Sequence, residues 1–72
     1  MRTLEERLAE NLRHRRGQMS QRDFAKKLGV SVATLNRVEN GQQNVSLKTL
    51  SRLCKRLKCD VHDLFHTEGG GG

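Results

Sequence analysis

Proline, tryptophan and tyrosine are absent from these 72 residues, and phenylalanine occurs twice. Without proline no turn rests on a ring-fixed φ, so chain reversals fall to Gly17, Gly29 and Gly41. With 33% apolar residues and few aromatics, one domain with one small core is all the chain can bury. Helix capping or self-association must then carry part of the stability. No apolar run approaches the ~20 residues of a membrane span, so no membrane partner is expected. Charge begins at Arg2 with no secretory hydrophobic stretch, which reads as a cytoplasmic protein. Two cysteines, Cys54 and Cys59, make no disulfide framework in that compartment. Acids are scarce in the middle: from Arg13 to Lys58, twelve Lys/Arg meet only Asp23 and Glu39. That is +10 in a chain of net +6, with both ends acidic or neutral. Such a segment suits a polyanionic partner.

What is there is a set of helix starts. Thr3-Leu4-Glu5-Glu6 is a capping box. Four further starts repeat one device, in which a capping residue follows an apolar one and precedes another by four. These are Met19-Ser20 with Phe24, Val30-Ser31 with Leu35, Val45-Ser46 with Leu50 and Cys59-Asp60 with Leu64. Each is a hydrophobic staple around an N-cap. No segment alternates with the period of a strand. The expected fold is all-α, with helices at about 4–16, 21–28, 32–39, 47–57 and 61–65. Leu4, Leu8 and Leu12 would share the buried face of the first. Lys58 stands where the fourth would end on glycine; in a left-handed conformation it costs roughly 1 kcal/mol. Residues 1–66 form the domain, and 67–72, ending Gly69-Gly70-Gly71-Gly72, form a flexible tail.

The second and third helices sit three or four residues apart around Gly29 and Ser31. A turn that tight forces a steep crossing, with Phe24, Leu28, Val30, Leu35 and Val38 facing one core. Ala25 sits where a larger side chain would hold the helices apart. This pattern predicts a helix-turn-helix whose second helix enters the DNA major groove. Base edges would be read by its first two turns, hence by Val32, Ala33, Asn36 and Arg37. Arg37 matches guanine O6 and N7, Val32 and Ala33 match a thymine methyl, and Asn36 matches adenine or a phosphate. Gln21, at a helix N-terminus, is placed for a phosphate. Ser31 and Thr34 are candidate phosphate donors, as are Asn40, Gln42, Gln43 and Asn44 in the loop after helix 3. Lys48 is a further backbone candidate, because a cation in a first turn opposes the helix dipole. Arg52, Lys55 and Arg56 are assigned only long-range attraction.

Ser20-Gln21, Phe24-Ala25, Leu28-Gly29-Val30-Ser31, Thr34-Leu35, Arg37-Val38-Glu39-Asn40-Gly41 and Val61-His62-Asp63-Leu64-Phe65 together resemble the lambdoid phage repressor and Cro family. The resemblance spans about residues 4–66. It implies the compact five-helix, lambda-repressor-like DNA-binding domain and a small transcriptional regulator acting as a repressor, with a homodimer on duplex DNA. Val32, Ala33 and Arg37 fall on the family's base-reading positions, and Gln21 on its backbone clamp. The resemblance also implies a structural bridge from helix 1 to Glu39, carried by Arg16 or, in another alignment, by His14. The linker between helices 1 and 2 is about two residues shorter than usual in the family. The same domain serves antitoxins, for which a toxin protein would be the partner; no toxin-binding segment is discernible.

Cys54, Cys59, His62 and His66 are spaced like a crude zinc cluster. Cys54, however, falls on the core stripe between Leu50 and Leu57, and Cys59 is a staple residue, so both read as small core residues. No metal and no cofactor are expected. No nucleophile with a base and an orienting group is discernible, so no enzyme is expected either.

Overall fold

Five side-chain caps start five helices, α1 (Leu4–Arg16), α2 (Gln21–Leu28), α3 (Val32–Glu39), α4 (Leu47–Leu57) and α5 (Val61–Phe65). The computed structural model describes residues 3–42 and 45–66, so Gln43, Asn44 and the glycine tail lie outside the described residues. Thr3, Ser20, Ser31, Ser46 and Asp60 each accept from the backbone N–H three residues on. Thr3 and Asp60 are reciprocated by Glu6 and Asp63, which makes two capping boxes. Each cap satisfies a donor that the helix leaves without an internal partner. Among the described residues there is no strand.

α1 packs on α3 and α5, α2 packs on α3 and α4, and α4 packs on α5. The shared core holds Leu8 and Leu12 of α1, Phe24, Ala25 and Leu28 of α2, Leu35 and Val38 of α3, Leu53 of α4 and Leu64 of α5. Val30, Leu50, Cys54, Leu57, Cys59 and Phe65 are half-buried against it. Ala25 is 1% exposed, as the close approach of α2 and α3 requires. Leu4 departs from the expected stripe and is 60% exposed. It is the first residue of α1 and lies at the rim of a groove with Val45, Leu50 and Phe65 rather than under them. Met19 and Val61 are also exposed; Met19 lies in the short α1–α2 linker, where its carbonyl accepts from Arg16 Nη1 at 2.9 Å.

Three helices end alike. At α2 the N–H of Val30 bonds Ala25 O at 3.0 Å, and that of Gly29 bonds Lys26 O at 3.2 Å. At α3 the matching pair is Gln42 to Arg37 O and Gly41 to Val38 O; at α4 it is Cys59 to Cys54 O and Lys58 to Lys55 O. This double bond pattern is the Schellman motif, which needs a left-handed residue. Gly29 and Gly41 supply it freely, whereas Lys58 adopts φ 55° with a side chain present.

Candidate nucleic-acid interface

The helix-turn-helix is assembled around one buried acid. Glu39, the last residue of α3, is 3% exposed. Its Oε2 accepts from Arg16 Nε of α1 at 2.8 Å, and its Oε1 accepts from Gln21 Nε2 of α2 at 3.0 Å. Its backbone carbonyl accepts from Arg13 Nη1 at 2.8 Å. A buried carboxylate is tolerated only when it is paired and hydrogen-bonded. Here both oxygens are occupied, by a cation and by an amide. Arg16, not the exposed His14, makes the ion pair.

The chain of bonds continues outward. With Gln21 Nε2 turned toward Glu39, Gln21 Oε1 faces Asn36 and accepts from its Nδ2 at 3.3 Å. Asn36 Oδ1 in turn accepts from Asn40 Nδ2 at 2.9 Å. The acceptor-only carboxylate therefore sets the direction of every amide between it and the surface. Asn36 keeps one N–H and one oxygen lone pair uncommitted.

Val32, Ala33, Asn36 and Arg37 form the exposed side of α3, opposite the buried Leu35, Val38 and Glu39. Ser31 donates its hydroxyl proton to Thr34 Oγ1 at 2.9 Å and caps Thr34 N at 3.0 Å. The outward donor of this pair is therefore Thr34. Thr34 and Arg37 line a cleft of about 400 Å³ with Gln42, Ser46 and Thr49, between α3 and the start of α4. Lys48 is exposed one residue beyond the first position of α4. Asn40 and Gln42 are exposed after α3. The cleft is mostly polar in its lining and opens beside the α4 N-terminus, where free N–H groups and the helix dipole favour an anion.

Several structural residues carried no distinguishing sequence signal. Arg13 grips the Glu39 carbonyl. Asn11 Nδ2 donates to the carbonyls of Asp63 at 3.1 Å and His66 at 2.6 Å, tying the end of α5 to α1. Arg52 does more than supply long-range charge: its Nη1 donates to Gly29 O at 3.0 Å. The Arg56 guanidinium packs over Gly29, where an added Cβ would meet it at 3.1 Å. These two arginines of α4 thus brace the end of α2. Among the described residues, the His, Cys, Asp and Glu side chains that cluster closely are Asp60, His62 and Asp63, with no cysteine. Asp60 and Asp63 are already engaged as reciprocal caps of α5. No helix is long and apolar enough to cross a membrane among the described residues.

Residues 6–64 match the family described as Helix-turn-helix. A protein of Methanocaldococcus jannaschii, named an uncharacterized HTH-type transcriptional regulator, is 38% identical over 47 residues. The alignment covers 65% of this chain and 71% of that protein. No solved structure matches significantly.

Proposed function

Because the chain belongs to the Cro/C1-type helix-turn-helix family of DNA-binding transcription regulators, we propose that it is a repressor that reads duplex sequence with α3 in the major groove. The observation that carries the reading is the Glu39-centred chain of bonds. It ties α1, α2 and α3 together beneath an exposed face whose groups match base edges. Arg37 takes guanine O6 and N7, and Val32 and Ala33 take apolar contacts such as a thymine methyl. The uncommitted N–H and lone pair of Asn36 complement adenine N7 and N6.

Backbone contacts fall to Gln21, Ser31, Thr34, Asn40, Gln42 and Lys48, and to Gln43 and Asn44, which lie outside the described residues. Gln21 retains a second Nε2 proton for a phosphate, and Ser31 contributes by orienting the Thr34 hydroxyl. One such helix reads only a few base pairs, so a homodimer on a two-fold site is expected, with half-sites about one helical turn apart. Selection of bound sequences from a random duplex pool is the direct test. Enrichment of a paired, inverted short motif is the expected result. Retention of duplexes without any enriched motif would reject sequence-specific binding.

A further inference from the structure

The end of α4 places the two cysteines of the chain in a register that the end of α2 makes interpretable. In both turns the second residue beyond the helix donates to the carbonyl of a residue in the last helical turn. In a Schellman motif those two residues meet side by side. At α2 they are Ala25 and Val30, both packed with the core. At α4 the same positions hold Cys54 and Cys59, around left-handed Lys58.

The Cys59 N to Cys54 O distance is 3.0 Å, so the two residues are hydrogen-bonded to each other through their own backbones. Covalent dimensions then limit their Cα separation to at most about 7 Å, and the bends at oxygen and nitrogen shorten it. A disulfide spans Cα separations of about 4.4–6.8 Å. Both residues are half-buried, both are free thiols, and both line one open cleft beside Ser51 and Lys58. Small oxidants can therefore reach them. Neither belongs to the α2–α3 face, and core packing alone does not require sulfur at both positions.

We propose that Cys54 and Cys59 are a dithiol modification site, which hydrogen peroxide closes to an intramolecular disulfide across the α4–α5 turn. The Cys54 thiolate attacks one peroxide oxygen. The O–O bond breaks, hydroxide leaves to become water, and the sulfur is oxidised to a sulfenic acid. Cys59 then attacks that sulfur. The S–S bond forms, the S–O bond breaks, and the leaving hydroxide takes the Cys59 proton as a second water. Two thiols and one peroxide yield one disulfide and two waters. Burial pushes the Cys59 thiol up, against the opposing pull of Arg15, which leaves little Cys59 thiolate to open the first step.

The test treats the whole chain with hydrogen peroxide, alkylates the remaining thiols and reads the intact mass. The expected product is a monomer lighter by two hydrogens and closed to alkylation. Trypsin cuts after Lys55, Arg56 and Lys58, between the cysteines, so their two peptides should stay joined until reductant is added. Cys59→Ser, first shown by circular dichroism to be helical, should instead retain dimedone-reactive sulfenic acid or link two chains, whereas an equally helical Cys54→Ser, which keeps only the second-step thiol, should label less with dimedone. Phenylarsine oxide is an independent probe, because it condenses with two adjacent thiols and releases water. One adduct per wild-type chain and loss of stable adduct in either single variant are expected. Wild-type chains that keep dimedone labelling like Cys59→Ser, form chiefly chain-to-chain disulfides, or fail to hold the arsenical would overturn the proposal.

Discussion

Gln21 and Glu39, the first residue of α2 and the last of α3, are joined at 3.0 Å inside the protein, although one end of that glutamine is directed toward the surface face of α3. The acid is thus both a fold element and the origin of the amide directions on the candidate reading face. Glu39→Ala should lower unfolding stability by about 3 kcal/mol, because it strands a partly buried Arg16 and the inner proton of Gln21. The check is the urea midpoint of the variant against the parent at equal m-value. An unchanged midpoint would show that the buried pair contributes no net stability.

The left-handed positions should respond in opposite ways. Lys58→Gly removes a Cβ from a φ of 55° and should raise stability by about 0.5–1 kcal/mol, less what glycine adds to unfolded-chain entropy. Gly29→Ala adds a Cβ at φ 73°, within 3.1 Å of the Arg56 guanidinium, and should cost about 1–2 kcal/mol. Thermal melts of both variants suffice. A stabilised Gly29→Ala would mean that the end of α2 relaxes out of its left-handed turn.

Local chemistry made the five helix starts readable, because an N-cap and its capping-box partner or staple lie within six residues of each other. Much of the core followed from the same spacing, but Leu53, the fully buried residue of α4, falls outside the expected stripe of Leu50, Cys54 and Leu57, and the staple residue Met19 is exposed. At Leu4 periodicity assigned a face but could not show that the neighbouring helices stop short of it. The ion pair was legible only to a choice between Arg16 and His14, since it joins residues 23 apart. Arg13, Asn11 and Arg52 were not legible at all. Each bonds a backbone carbonyl 23 or more residues away, and a carbonyl has no residue identity for a pattern to detect. Asn36 could be placed on the exposed face, but its bonds to Gln21 and Asn40 depend on how α2 crosses α3.

Acid should weaken the cap of α5. The Asp63 backbone N–H, supported by His62, holds the Asp60 carboxyl below the ordinary aspartate range against the opposing effect of desolvation. A folded-state pKa below the unfolded one contributes stability that is present above the unfolded value and lost as pH falls through the folded one. Asp60→Asn keeps a capping oxygen but cannot titrate. The stability advantage of the parent over Asp60→Asn should therefore shrink as pH is lowered from neutrality through the carboxylate range. An advantage that grows on acidification would contradict the assignment of the cap.

The sharpest division on the proposed interface lies between Arg37 and Lys48. Arg37 follows Ala33 by one helical turn on the exposed side of α3, where a guanidinium fork can meet a base edge. Lys48 sits in the first turn of α4, where a single ammonium can meet a phosphate but cannot supply a two-pronged donor to guanine. Arg37→Ala should weaken binding to the selected site by roughly 1–3 kcal/mol and relax preference at one base pair. Lys48→Ala should weaken binding to selected and random duplexes by about the same factor, and should reduce the salt slope by about one ion. Both variants must melt like the parent, since Arg37 also lines the cleft with Thr34 and Ser46. Affinities for the selected duplex and a scrambled one, each measured across a salt series, separate the two roles. Equal losses on both duplexes for Arg37→Ala would make Arg37 a phosphate contact and leave base reading to Val32, Ala33 and Asn36.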